Sequence, residues 1–229
     1  MKTFLQIQNE LKSKVNQSDH IKINEIDCVG AFDITYIKNS DRAIVYYVLI
    51  SYPDCKVLAS YHVINDVKIP YQAGFLAFRE MPLIEQLWQT IPDSDRAKVL
   101  VFDGNGILHP NHCGIASHFG VVHDIITIGC AKNLHQYPEL TADRNAIKHL
   151  FNSKSSLTLY GLVEKSGKVV GAAVNFAKNG AINPIYVSIG HKISLDSAVT
   201  IIKNMTKCRE PEPIRIADRE SRKLMQTLI

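Results

Sequence analysis

Apolar positions fall into alternating and near-helical patterns along the chain, with turn-forming residues between them. Residues 3–18 carry Phe4, Leu5, Ile7, Leu11 and Val15 near helical spacing, which predicts an amphipathic helix. Three strand-like segments follow at 28–37, 43–51 and 57–64, joined by the turn signals Lys38-Asn-Ser-Asp41 and Tyr52-Pro-Asp54. Leu76, Met81, Ile84, Leu87 and Trp88 line the apolar side of a helix predicted over 75–90. A continuous apolar run at 98–102 reads as a buried strand, 114–122 as a helix, and 125–129 as a second buried strand. Strands at 157–163 and 169–176 flank the hairpin signal Glu164-Lys-Ser-Gly167. A short strand at 185–188 precedes a helix over 194–206, for which Ser194 is a plausible N-cap.

Three early antiparallel strands followed by alternating helices and strands make an α/β protein with a mixed sheet flanked by helices. A ribonuclease H-like core has this order, and many other α/β folds come close to it. With 229 residues and no Pro/Gly/Ser-rich linker, the expectation is one domain spanning 1–229. No apolar run is long enough for a bilayer, and the N-terminal stretch lacks the core of a signal peptide, so a cytoplasmic protein is expected. Five scattered cysteines without a CxxC argue for free thiols in a reducing compartment.

A net charge of +4 permits a polyanionic partner without demanding one. Its distribution is uneven: Lys203, Lys207, Arg209, Arg215, Arg219, Arg222 and Lys223 crowd the C-terminal segment. A solvated helix face and a phosphate-contacting surface explain that cluster equally well.

Chemistry concentrates in Val101-Phe-Asp-Gly-Asn-Gly-Ile-Leu-His-Pro110, where a buried strand runs into an aspartate, two glycines and a histidine. Asp103 sits where a parallel strand ends and its loop opens, and a carboxylate there needs a cation or a strong hydrogen-bond donor. Gly104 and Gly106 let the backbone approach something closely. Asp33 is the only charge in a long apolar strand, and alternation puts it on one face with Ala31 and Thr35. By position alone, Glu80 is a solvated partner of Arg79, and Asp218 is a helix-surface residue. Carboxylates gathered from separate elements repel one another, and Mg²⁺ or Mn²⁺ relieves that repulsion while bridging to a substrate phosphate. Phosphodiester hydrolysis is the natural chemistry of such a site.

Several blocks together resemble the endonuclease V family. They are Gly30-Ala-Phe-Asp33, Pro70-Tyr-Gln-Ala-Gly-Phe-Leu-Ala-Phe-Arg-Glu80, Asp103-Gly-Asn-Gly-Ile-Leu-His-Pro110 and Gly114-Ile-Ala-Ser-His-Phe-Gly120. Thr127-Ile-Gly-Cys-Ala-Lys132, Tyr186-Val-Ser-Ile-Gly-His-Lys-Ile-Ser194 and Arg209-Glu-Pro-Glu-Pro-Ile-Arg-Ile-Ala-Asp218 follow in family order. The resemblance implies a ribonuclease H-like fold and cleavage of nucleic acid near inosine. It further implies Asp33, Glu80 and Asp103 as ligands of Mg²⁺, for which Mn²⁺ can substitute. Lys132 then lies beside the scissile phosphate, and Asp218 is a further polar group near the metal site. An extruded base would enter a pocket built largely from backbone, at positions matching Leu76, Gly104, Ile115, Gly129 and Ala131, with Gly74 and His109 among the substrate-binding set. Tyr71 resembles the aromatic of the family's wedge, filling the gap the base leaves.

Departures from the family pattern bear on the substrate. Pro70-Tyr-Gln-Ala73 stands where bacterial members usually read Pro-Tyr-Ile-Pro, and His109-Pro-Asn-His-Cys113 lacks the arginine many members carry there. Asp-Gly-Asn-Gly, Ser-Ile-Gly-His and Asp218 lean toward the eukaryotic type, which implies inosine-containing single-stranded RNA before DNA. A monomer is expected, with a nuclear or nucleolar place if the protein is eukaryotic. His109, His112 and Cys113 lack a second ligand pair for structural zinc, and nothing marks Cys113 with His118 as an activated thiol. His118 and His191 read as hydrogen-bonding groups or polar anchors of the core. Two rival readings remain: a non-catalytic inosine reader, which would not need the acids, and another metal-dependent phosphoesterase, which would lack the base pocket.

Overall fold

A computed structural model describes residues 2–153, 158–176 and 183–228. Helix α1 (Phe4–Lys12) starts on a capping box in which Thr3 and Gln6 bond reciprocally, and it stops earlier than the apolar spacing predicts. Beyond it the chain turns, and Val15 reaches the core from outside the helix. Strands β1 (Cys28–Tyr36), β2 (Arg42–Ser51) and β3 (Val57–Asp66) form an antiparallel meander. Helix α2 (Leu76–Thr90), β4 (Val99–Phe102), α3 (Ile115–His123) and β5 (Ile126–Ala131) follow, and β4 is parallel to both β1 and β5.

The later half adds α4 (Arg144–Ser153), β6 (Leu159–Val163), β7 (Val169–Val174), β8 (Ile185–His191), α5 (Leu195–Asn204) and α6 (Glu212–Thr227). Position 157, where the β6 segment was expected to begin, lies outside the described residues. The Glu164–Gly167 turn closes the β6–β7 hairpin, with Gly167 at φ +84°. Ser194 caps α5 by accepting from the Ser197 amide.

All strands join one sheet in the order β3-β2-β1-β4-β5-β8-β7-β6. The meander, followed by two parallel strands on its β1 side, is the ribonuclease H-like arrangement. Alternation along β1 sorts its side chains onto two faces. Phe32 joins Tyr47, Leu100, Phe102, Leu87, Trp88 and Phe119 under α2 and α3. Ala31 joins Val99, Val101, Ile128, Ile201, Ile202 and Ile214 under α5 and α6. A third cluster, including Ile147, Phe151, Leu162 and Tyr186, packs α4 onto the far end of the sheet. With apolar layers on both faces, polar groups gather where the parallel β1–β4 ladder ends and the sheet opens. Among the described residues no helix is long and apolar enough to cross a membrane.

Candidate active site

β1 and β4 pair in parallel as far as Phe32 and Phe102. Asp33 and Asp103 follow where that ladder ends, Asp33 still inside β1 and Asp103 just past the end of β4. α2 brings Glu80 across the same opening. The three carboxylates line one cavity of about 120 Å³, together with Phe32, Ile34, Ile84, Phe102 and Ile115. Its apolar walls withhold water from the acids, so burial pushes all three upward in pKa. Glu80 reaches about 7, with repulsion from Asp103 and Asp33 adding to burial. Asp33 is raised by burial and by Asp218 and Asp103, against the hydrogen bonds from Ser221 and Thr35.

A protein donor meets each acid. Ser221 Oγ donates to Asp33 Oδ2 at 2.5 Å, and Thr35 Oγ1 to the same oxygen at 3.2 Å. The Tyr36 hydroxyl donates to Glu80 Oε1 at 3.2 Å, while the Arg79 guanidinium lies 4.8 Å over the Tyr36 ring. Lys132 Nζ sits 2.8 Å from Asp103 Oδ2 and 3.2 Å from Glu210 Oε2. Burial alone would lower the lysine's pKa, but Asp103 and Glu210 outweigh it and hold the ammonium charged. Asp218, on α6, accepts from Arg222 Nε at 2.8 Å and faces Asp33 closely enough to raise its pKa.

Among the described residues, no three His, Cys, Asp or Glu side chains are already drawn together as an ion cage. The oxygen-only set at the acid cavity nonetheless fits a hard divalent cation, since mutual repulsion and poor solvation are what such an ion relieves. Around His109, His112 and Cys113 the described residues form no such set, although Glu164 Oε1 lies 3.5 Å from His112 Nε2 and the His135 ring packs 5.3 Å from that of His109. Burial lowers both histidines and pushes the Cys113 thiol up to about 12, which leaves it inert as a nucleophile. All five cysteines are free.

A second cavity, of about 130 Å³, adjoins the first and shares Asp103 and Ile115 with it. Tyr71, Gly74, Leu76, Gly104, His109 and Ile115 all line it, as do Gln8, Asn105 and His135. Tyr71 stands 67% exposed at its rim. The first turn of α3 opens here, with Gly114 as an N-cap that supplies no side-chain bond. The Ala116 amide already donates to the Asn105 carbonyl at 3.1 Å; the other amides of that turn have no intrahelical partner and favour an electronegative group.

Gly129 and Ala131 do not line this cavity. Gly129 lies behind the Asp103 loop, where an added Cβ would come within 2.3 Å of the Gly106 nitrogen. Ala131 is buried in the third core cluster. Gly106 is tighter still, because a Cβ there would meet the Ile189 carbonyl oxygen at 1.9 Å. The loop is pinned by the Gly106 amide donating to Ser188 Oγ at 2.9 Å and the Ile107 amide donating to Ile189 O at 2.8 Å.

Gln8, fully buried on α1, braces the cavity from behind. Its Nε2 donates to the carbonyls of Gly74 at 3.1 Å and Cys113 at 3.0 Å, and its Oε1 accepts from Asn111 Nδ2 at 2.7 Å. His109 Nδ1 accepts from the Asn111 amide at 3.1 Å, and burial pushes this imidazole down to about 4, so it is neutral at pH 7. His191 Nδ1 likewise accepts from the Asn16 amide at 3.2 Å, as a polar anchor rather than a site group.

Sequence reasoning missed Ser221, Tyr36, Glu210 and Gln8. Only Glu210 carried a signal, its place beside Arg209 in a quoted block; the others come from elements whose meeting no spacing reveals. The C-terminal cations are largely paired on the helix surface: Arg215 with Glu212, Arg219 and Lys223 with Glu220, and Arg222 with Asp218.

A family model described as Endonuclease V matches residues 9–219. A protein of Dictyoglomus turgidum named Endonuclease V is 32% identical over 228 residues, covering 98% of this chain and 91% of its own length. The structure of Ciona intestinalis Endonuclease V in complex with a 24mer DNA containing an inosine followed by a ribo-adenosine superimposes with a TM-score of 0.92. That pair is 34% identical, with 97% of this chain and 96% of that one covered. Human ENDOV gives a TM-score of 0.86 at 31% identity, with 98% and 97% covered.

Proposed function

The chain belongs to the endonuclease V family, and from that premise we propose that it is a metal-dependent endonuclease hydrolysing a phosphodiester bond near inosine in single-stranded nucleic acid. The observation that carries this reading is the shared wall of the two cavities: Asp103 belongs both to the acid cluster and to the recess beside Tyr71. Neither rival accounts for that adjacency. A non-catalytic reader has no use for three poorly solvated carboxylates, and a general phosphoesterase has no use for the recess.

Asp33, Glu80 and Asp103 would hold the cation, with Mg²⁺ the proposed ion and Mn²⁺ able to replace it. When bound, such an ion supplies Lewis-acid charge and lowers the pKa of a coordinated water. The chain's own groups do the rest. Ser221 and Thr35 orient the Asp33 carboxylate, and Tyr36 orients that of Glu80. Lys132 presents a fixed ammonium beside Asp103 for the charge that develops on the phosphate. Tyr71 takes the stacking place of the extruded base, while the Gly104 backbone and the first turn of α3 meet the polar edge of hypoxanthine. A strand with one ribonucleotide after inosine, as in the Ciona intestinalis complex, supports RNA before DNA as the substrate.

One gel tests the reading. Labelled single-stranded RNA and DNA, each with a single inosine, are incubated with Mg²⁺ or EDTA beside adenosine and guanosine controls. Cleavage confined to inosine strands with Mg²⁺, stronger on RNA, is expected. Equal cleavage of the adenosine controls removes the base-specific reading, and cleavage in EDTA removes the metal.

A further inference from the structure

Lys132 is gripped from both ends by two consecutive residues of another segment. Arg209 Nη2 donates to the Lys132 carbonyl at 2.8 Å, and Glu210 Oε2 stands 3.2 Å from its Nζ. Arg209 is itself anchored, its Nε donating to the Asn183 carbonyl at 3.2 Å. These contacts join the end of β5 to the connection between α5 and α6, two places brought together only by the fold. The lysine side chain is 28% exposed and that of Glu210 21%, so the pair is partly shielded from water. A lysine at the end of a strand would otherwise sample many rotamers, since its flexible stem loses much freedom when fixed.

We propose that Glu210 is a positioning residue for the cleavage reaction, holding the Lys132 ammonium in place when Asp103 turns to its ligand role. The inference rests on the nuclease reading and extends it to a residue outside the acid cluster. With no cation bound, the ammonium is shared between Asp103 at 2.8 Å and Glu210 at 3.2 Å. A carboxylate engaged with a divalent ion is a poorer partner for a second cation. Glu210 then remains the anchor that keeps the ammonium within reach of the phosphate. Arg209 fixes the main chain from which the side chain extends, so the two residues set the base and the tip of one lever.

The test is a double-mutant cycle on the intact protein with an inosine-containing RNA, using Glu210→Ala, Glu210→Gln, Lys132→Ala and the Lys132→Ala/Glu210→Ala pair. Single-turnover cleavage in Mg²⁺ and strand binding in Ca²⁺ are read for each. Glu210→Ala should slow the single-turnover rate about tenfold, and Glu210→Gln, which keeps an acceptor without the charge, by less. Binding should stay within roughly twofold, and Glu210→Ala should slow the Lys132→Ala background by no more than about twofold. A purely structural Glu210 would instead slow both backgrounds alike. That result, an unchanged rate, or a faster one overturns the inference while leaving the nuclease reading intact. Wild-type protein that fails to cut the inosine strand overturns both.

Discussion

Asp33 and Asp103 are neighbours by strand register: each directly follows a phenylalanine, and those two, Phe32 and Phe102, pair across the parallel β1–β4 ladder. Their rings stack 5.8 Å apart beneath the site. The apolar pair fixes the alignment of the strands, and that alignment sets two like charges side by side where the ladder ends. Core packing and the electrostatic problem at the site are thus consequences of one register. A one-residue slip would turn an aspartate toward the core.

Replacing either aspartate should separate chemistry from capture. Asp33→Ala and Asp103→Ala are expected to reduce cleavage on the order of a thousandfold or more. Binding of an inosine strand in Ca²⁺ should persist, measured by fluorescence anisotropy. Wild-type cleavage in either variant would remove that residue from the mechanism.

Tyr71 is held by little and exposed to much, so its removal should leave folding intact. Tyr71→Ala should weaken strand binding by about 1–3 kcal/mol, the range for one stacked base. The effect belongs in KM. A collapsed kcat with an unchanged KM would contradict a stacking role.

In the metal-free protein the contribution of Glu80 to stability should be lost as pH rises from the ordinary carboxylate range to about 7. Glu80 ionises near 7 in the folded chain and at an ordinary carboxylate value when unfolded, so between those values the folded state binds the extra proton. Its contribution is favourable below the unfolded pKa and is lost as pH climbs toward 7. Asp33 and Asp103, also raised, act in the same direction. His109 and His118, each pushed down to about 4 by burial, oppose them on the acid side, together with the lowered His112, His135 and His191. These histidines destabilise the fold as pH falls below their ordinary range, so only the comparison with a Glu80 variant isolates the acid. Comparing thermal melts of wild type and Glu80→Gln at pH 5, 6, 7 and 8 in EDTA isolates the carboxylate. The variant should gain on wild type as pH rises, and Mg²⁺ should raise the wild-type Tm most at pH 8. Parallel melting curves for the two proteins would refute the assignment.

Gly106 leaves no room for a side chain, because the Ile189 carbonyl occupies the space. Gly106→Ala should therefore cost about 1–3 kcal/mol of stability, as overpacking does. It should also depress cleavage by moving Asp103 and Gly104. Urea unfolding and single-turnover rates report the two effects, and wild-type values for both would show that the loop yields freely.

Much of this architecture was legible in local pattern. Alternation around Asp33 sorted its face correctly, since Ala31 and Phe32 do enter opposite clusters. The apolar run before Asp103 is β4, buried at every position. Elements with thin apolar signals were not legible. α4 buries only Ile147 and Phe151, and the apolar stripe of α6 is interrupted by Ser221, whose burial reflects its bond to Asp33. β8 runs past the expected 185–188 to His191 because Thr127 and His191 pair across the sheet. The partners of the acids escaped for a related reason. Ser221 and Glu210 contact residues far away along the chain, and a hydroxyl or carboxylate looks the same in sequence whether solvated or engaged.

The wall common to the two cavities makes the protein a caliper. On the proposed reading one jaw would take the base and the other the bond, with Asp103 and Ile115 in the wall between them. The offset from lesion to cut would then be set by the polypeptide rather than by the letters that flank the inosine. Lengthening that wall by one residue would relocate the cut or abolish it.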